Sequence, residues 1–142
     1  MATVKTPSVN KNQALTILSD FLAQTQKWCN QPNAPATSDL ETYLVRNFQF
    51  SSNGEVVGRS LSDYLNRITR FRQKYSHFDI VGPFEEPVVT DNKVALQYEV
   101  ELTAHDGQTS HVYIMAFATL EGNKVSKWVQ VASEQGSSLW DS

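Results

Sequence analysis

Along the first half of the chain, apolar positions recur every three or four residues. Ala14, Leu15, Leu18, Phe21 and Leu22 form one stripe that extends past Thr25 to Trp28, and Asn10 with Gln13 supplies a capping-box start. The pattern predicts an amphipathic helix beginning near Asn10. The stretch Asn30 to Pro35, NQPNAP, ends it, because proline and asparagine favour turns. Ser38 and Glu41 give a second capping box, and Leu40, Tyr43 and Leu44 a buried face, which predicts a shorter helix from Thr37 or Ser38 to about Arg46 or Asn47. A short apolar piece, Phe48 to Phe50, precedes the turn signal Asn53-Gly54, and Val56-Val57 reads as a minor strand. Ser60 and Asp63 cap a third helix, Leu61 to about Tyr75. Its inward side is Leu61, Tyr64, Leu65, Ile68 and Phe71, and its outward side is a solvated basic face of Arg67, Arg70, Arg72 and Lys74.

The period then changes from helical to alternating. Phe78 to Val81 reads as a strand punctuated by Gly82-Pro83, and Pro87 restricts Val88 to Thr90 to an edge or a bulge. From Lys93 to Val131 the chain reads as three strands joined at Asp106-Gly107 and Gly122-Asn123, dipeptides that tolerate positive φ. Two-residue loops at both turns set Val100 opposite Tyr113, Met115 opposite Gln130 and Phe117 opposite Trp128. One face then collects Leu96, Tyr98, Val100, Leu102, His111, Tyr113, Met115, Phe117, Trp128 and Gln130. The other collects Gln97, Glu99, Glu101, Val112, Ile114, Ala116, Ala118, Lys127, Val129 and Val131. The first face suits a wall beneath the helices. The second is too apolar to be left in water, so a homodimer through Val112, Ile114, Ala116, Val129 and Val131 is expected.

Helices first and an antiparallel sheet after make an α+β domain with the helices gathered on one face. We expect a flexible N-terminus over 1–9, one domain over 10–132 and a polar tail over 133–142, in which Leu139 and Trp140 hint at a docking peptide. At 142 residues the domain is large enough to bury a core without staples. Twelve basic against 15 acidic residues leave a net charge of -3, which excludes a global field for nucleic acid or an anionic membrane. Cys29 is the single cysteine, so an internal disulfide and a multi-cysteine metal site are excluded, and it is expected to be a partly buried thiol. No signal peptide or membrane span is legible, and the expected location is cytoplasmic.

The element order, with Gly58-Arg59 just before the third helix and the terminal turn Gly122-Asn123-Lys124-Val125, resembles the nuclear transport factor 2-like superfamily. That superfamily includes ketosteroid isomerases, scytalone dehydratase and the polyketide-cyclase (SnoaL)-like proteins. The resemblance covers about Asn10 to Val131. It implies a cone-shaped fold, cystatin-like in class, with three N-terminal helices on a strongly curved, mainly antiparallel sheet. It also implies an interior that holds a hydrophobic small molecule and an outer sheet face that often dimerises. Ketosteroid isomerases carry a general-base Asp after the second helix and a protonated Asp on the middle strand. The matching positions here are Phe50 to Asn53 and about Met115, and the acid of cyclase-like members falls at about Ala132 and Ser133. None of these is a carboxylate.

Three functions remain open on these residues. The first is a binding protein whose cone contacts an apolar ligand through Tyr98, Met115, Phe117, Trp128 and Gln130. The second is a cofactor-independent isomerase, dehydratase or cyclase with His111 as base and Tyr113 as electrophile, since histidine titrates near neutral pH and a tyrosine hydroxyl can polarise a carbonyl. The third is a protein-interaction module. No cofactor or metal is expected: there is no Gly-rich phosphate loop, His77 and His105 offer little, and His105, Asp106 and His111 do not converge as metal ligands in the strand geometry.

Overall fold

The structure is a computed structural model that describes residues 10–134, without the side chains of 82–86. The N-terminal segment and the tail with Leu139 and Trp140 lie outside the described residues. Helix α1 (Lys11–Asn30) is capped as its sequence demands, with Asn10 Oδ1 accepting the Gln13 amide at 2.8 Å. Its buried residues, Ala14, Leu18, Phe21, Leu22, Thr25, Trp28 and Cys29, follow a helical period without a break. The short α2 (Thr37–Leu40) is followed by strand β1 (Leu44–Ser52) and strand β2 (Glu55–Gly58). Helix α3 (Leu61–Lys74) then leads into β3 (Tyr75–Thr90), β4 (Lys93–Ala104), β5 (Thr109–Glu121) and β6 (Lys124–Glu134). Ser60 caps α3 by accepting the Asp63 amide at 3.2 Å, and Asp63 Oδ2 reciprocates on the Arg59 amide at 2.9 Å. Gly58 lets β2 approach that first turn, since a Cβ there would stand 3.0 Å from Asp63 Cβ.

The strands form one mixed sheet in the order β2-β1-β6-β5-β4-β3, with β1 parallel to β6 and every other pair antiparallel. The second helix is much shorter than its sequence predicts. The chain from Leu44 is strand because the Val125 amide bonds the Tyr43 carbonyl at 2.9 Å and draws β1 onto the edge of β6, overriding the helical spacing of Leu40, Tyr43 and Leu44. Strand β3 continues past Gly82-Pro83 and Pro87, with register shifts between Val81 and Glu85 and between Glu85 and Val88. It tolerates them as an edge strand.

The register of β5 departs from the sequence reading by one residue on each side. At the first turn the Ala104 amide bonds the Gln108 carbonyl at 2.8 Å and the Gly107 amide the Ala104 carbonyl at 2.9 Å, so the loop is His105-Asp106-Gly107, three residues and not two. Gly107 takes φ +89°, and Asp106 Oδ1 accepts the Gln108 amide at 2.9 Å. Val100 therefore faces Val112, and Tyr98 faces Ile114. The second turn is a two-residue loop, Glu121 opposite Lys124. The register then shifts past Leu120, where Leu120 faces Val125 but Thr119 faces Lys127, so Ser126 is the extra residue of a bulge.

The two offsets cancel between β4 and β6, whose faces are as the sequence implies, and leave β5 alone turned over. Val112, Ile114, Ala116 and Ala118 face the helices. His111, Tyr113, Met115 and Phe117 face outward beside Gln97, Glu99, Glu101, Val129 and Val131. Among the five residues expected at a dimer surface, Val112, Ile114 and Ala116 are thus interior.

The core joins α1 and α3 to the inner sheet face. Phe21 meets Trp128 edge-on at 5.6 Å, and Phe48 meets Tyr64 edge-on at 5.2 Å, with Leu40, Leu44, Leu120 and Val125 closing the α2 end.

Candidate functional site

A cavity of about 260 Å³ lies between α1, α3 and the inner sheet face. Helix α1 lines it with Phe21, Leu22, Thr25 and Cys29, and α3 with Tyr64, Arg67, Ile68 and Phe71. The sheet contributes Phe50, Phe78, Tyr98, Val100, Leu102, Val112, Ile114, Trp128, Gln130 and Ala132. The lining is that of a small-molecule pocket, mainly apolar and aromatic with few polar groups, and the volume is just under the usual range of about 300–1,000 Å³.

The walls are tied together by hydrogen bonds across the elements. Asn30 donates to the Phe78 carbonyl at 2.9 Å and accepts the Phe78 amide at 2.7 Å, and Gln26 Oε1 accepts the Ile80 amide at 2.8 Å. These bonds dock α1 on β3. Arg72 donates to the carbonyls of Trp28 (2.6 Å) and Pro32 (3.0 Å), satisfying the C-terminal end of α1, and His105 Nε2 lies 2.9 Å from the Arg72 carbonyl. At the opposite wall Asn53 takes φ +51°. Its amide bonds the Gln130 carbonyl at 2.9 Å, and its Oδ1 accepts the Ala132 amide at 2.8 Å. This fixes the β1–β2 turn on β6.

The polar groups of the wall fall into two sets. Gln130 is engaged on both ends, accepting Trp128 Nε1–H at 3.0 Å and donating to Ser52 Oγ at 3.3 Å. The second set is Thr25, Cys29, Tyr64, Arg67 and Tyr98. Thr25 donates to the Phe21 carbonyl at 2.9 Å and hydrogen-bonds the Tyr64 hydroxyl. Burial pushes the Cys29 thiol up to about 12, against a smaller opposing pull from Arg72. Burial likewise raises the Tyr64 hydroxyl, Cys29 adding to the shift while Thr25 and Arg67 oppose it. Tyr98 is raised by burial and by the neighbouring Tyr64. Arg67 is lowered by burial, with Tyr64 opposing and Arg70 adding. At neutral pH the thiol and both phenols are therefore protonated donors. The Arg67 guanidinium stacks 4.5 Å from the Phe50 ring centroid.

Tyr98, Trp128 and Gln130, named from the sequence, line this cavity. His111, Tyr113, Met115 and Phe117, named with them, stand on the far side of the sheet, for the register reasons above. His111 sits between two cross-strand acids, Nδ1 3.5 Å from Glu99 Oε1 and Nε2 3.7 Å from Glu101 Oε2, and Nδ1 has no hydrogen-bond partner among the described residues. It cannot reach a molecule held in the cavity. Tyr113, Met115, Phe117 and Val131 instead form an exposed outer patch, with Phe117 65% and Met115 60% exposed. Around the matching family positions the inward residues Ile114, Ala116 and Ala132 are apolar, and no described residue of the cavity wall is a carboxylate or an imidazole.

Arg67, Tyr64, Thr25 and Cys29 were not singled out as site residues by the sequence reading. The signal was present for Arg67: Tyr64, Arg67, Ile68 and Phe71 are spaced i, i+3, i+4 and i+7, so the arginine shares the buried stripe, and only its charge suggests an outward position. Among the described residues no three His, Cys, Asp or Glu side chains gather as metal ligands, and no helix is long and apolar enough to cross a membrane.

No protein-family model matches the sequence, and no curated protein matches it. Solved structures do. A putative SnoaL-like polyketide cyclase from Jannaschia sp. CCS1 superposes with a TM-score of 0.67 at 12% identity, over 94% of this chain and 92% of that one. A nuclear transport factor 2-like protein from Anabaena variabilis gives 0.71 at 12% identity, over 94% and 98%. An LEH-like epoxide hydrolase from M. tuberculosis gives 0.67 at 10% identity, over 86% and 84%. At such identities the likeness is one of fold.

Proposed function

We propose that this chain, whose fold is the nuclear transport factor 2-like fold, is a binding protein that holds an apolar small molecule between its helices and its sheet and pairs as a homodimer through the outer sheet face. The observation that carries the binding reading is the cavity of about 260 Å³, walled by aromatic and aliphatic side chains from α1, α3 and five strands. Structures of the same fold include a putative polyketide cyclase and an epoxide hydrolase, so a cavity in this place is compatible with catalysis. Binding is preferred to acid–base chemistry here because a general base must stand within hydrogen-bond reach of its proton. The described wall offers protonated phenols, a thiol held at about 12 and a guanidinium, none of them a base near neutral pH.

The homodimer rests on Tyr113, Met115, Phe117 and Val131, which together leave an apolar patch on the outer face. Expected at that interface, in place of the interior Val112, Ile114 and Ala116, are these four residues with Val129. Thermal shift and native mass spectrometry against a lipophilic library test the binding reading: a ligand that binds the folded state raises Tm and appears as a stoichiometric adduct. Failure of every compound to do either would sink it.

A further inference from the structure

We infer that the ligand of this cavity is an amphipathic monocarboxylate, its apolar body against Phe21, Val100, Ile114 and Trp128 and its carboxylate on Arg67. The inference rests on the small-molecule reading above and adds the chemistry of the head group. Arg67 is a partly buried cation on the cavity wall, with its guanidinium over the face of Phe50. Among the described residues it has no carboxylate partner: the ion pairs are Arg46 with Glu41 and His111 with Glu99 and Glu101. The charge of Arg70, of the same sign, further disfavours its cationic form. A guanidinium withdrawn from water with no counter-ion bears a desolvation cost that a bound anion offsets, and its planar fork suits a carboxylate bidentately. In a chain of net charge -3, an uncompensated cation facing an apolar cavity is not explained by the surface charge balance.

The neighbouring polar groups agree in sign. Tyr64, one helical turn before Arg67, is neutral at neutral pH and brings no negative charge to the same space, and no described acceptor of the wall is a charged oxygen. A neutral ligand would leave Arg67 unpaired, whereas a dianion would bring in a charge with no second cation on the wall, since Arg72 is committed to the Trp28 and Pro32 carbonyls. One negative charge on an apolar body is the match.

Isothermal titration with decanoate and with decan-1-ol, on the full chain and on Arg67→Gln and Arg67→Lys, tests this. Decanoate is expected to bind at least about tenfold more tightly than decanol. Arg67→Gln should erase that preference while decanol affinity stays within about twofold, and Arg67→Lys should restore part of it. Equal binding of the two probes to the unsubstituted chain overturns the carboxylate inference and leaves the small-molecule reading standing, as does an Arg67→Gln variant that keeps the preference. Binding of neither probe overturns the inference, and the lipophilic library then decides the broader reading on its own. Arg67→Gln and Arg67→Lys should both melt within a few degrees of the parent, so a lost preference reports the head group and not unfolding.

Discussion

The two faces of the sheet carry different chemistry, although alternate residues of the same strands build them. Inward, β4, β5 and β6 present Tyr98, Val100, Ile114, Ala116 and Trp128 to two helices and a mainly apolar cavity with Arg67 on its wall. Outward, the same strands present Tyr113, Met115, Phe117 and Val131 beside Glu99, Glu101 and His111. What separates a buried wall from an exposed patch is one residue of register in β5, and that register is decided at a turn and a bulge, not by the strand's own composition.

Ile114 and Met115 give the sharpest test, because they are adjacent and a two-residue turn would exchange their environments. Ile114→Ala should cost about 2–4 kcal/mol in urea unfolding, since it removes buried methyls from a wall that relaxes only in part. Met115→Ala should change the stability of the isolated subunit by less than about 0.5 kcal/mol. The reverse order would mean that β5 is paired in the other register.

The outer patch is next in size. If it is a dimer surface, Phe117→Glu places a charge at its centre and should weaken association about thirtyfold or more, with the fold intact by circular dichroism. Sedimentation equilibrium of parent and variant reads this directly. A parent that is monomeric at all concentrations removes the homodimer, and the patch then needs another explanation.

The inner face has a signature in alkali. Cys29 ionises at its ordinary value of 9.0 when unfolded but only at about 12 when folded, so between these limits the unfolded chain binds fewer protons than the folded one. Stability is therefore fully present below pH 9 and falls as pH rises, by about 1.4 kcal/mol per pH unit from this thiol. Tyr64 and Tyr98, with ordinary values of 10.0 and both raised, add to the fall above pH 10. Cys29→Ala should flatten the stability profile between pH 9 and 10 and leave the steeper loss above it. An unchanged slope would place the thiol in contact with water.

Helices α1 and α3 were legible in the sequence because their signals are local. The caps at Asn10 and Ser60 and the stripe from Ala14 through Trp28 depend on neighbours within one or two turns of helix. Tyr98, Trp128 and Gln130 share the inner face as the sequence implies only because the offsets at the two turns cancel between β4 and β6. The end of α2 was not legible, because β1 forms by pairing with β6, some eighty residues away in sequence. The site was read only in part for two reasons of the same kind. A loop of three residues with Asp106 bonding the Gln108 amide looks, as a string of letters, like a two-residue Asp-Gly turn, and Arg67 has the charge of a surface residue at the spacing of a buried one.

The smallest effect bears on the turn that sets the comparison. Gly107 has φ +89°, a conformation that costs an L side chain about 1 kcal/mol, and a Cβ there would meet nothing within 4 Å, so any penalty is conformational and not steric crowding by neighbours. Gly107→Ala should lower stability by about 1 kcal/mol, and Gly107→Asn by less, because asparagine tolerates positive φ better. Both should leave Ile114 protected and Met115 accessible, the second readable by the rate of methionine oxidation. If Gly107→Ala instead slows Met115 oxidation, the loop has contracted to two residues and β5 has turned its outer face inward, so the glycine sets the register and does more than relieve strain.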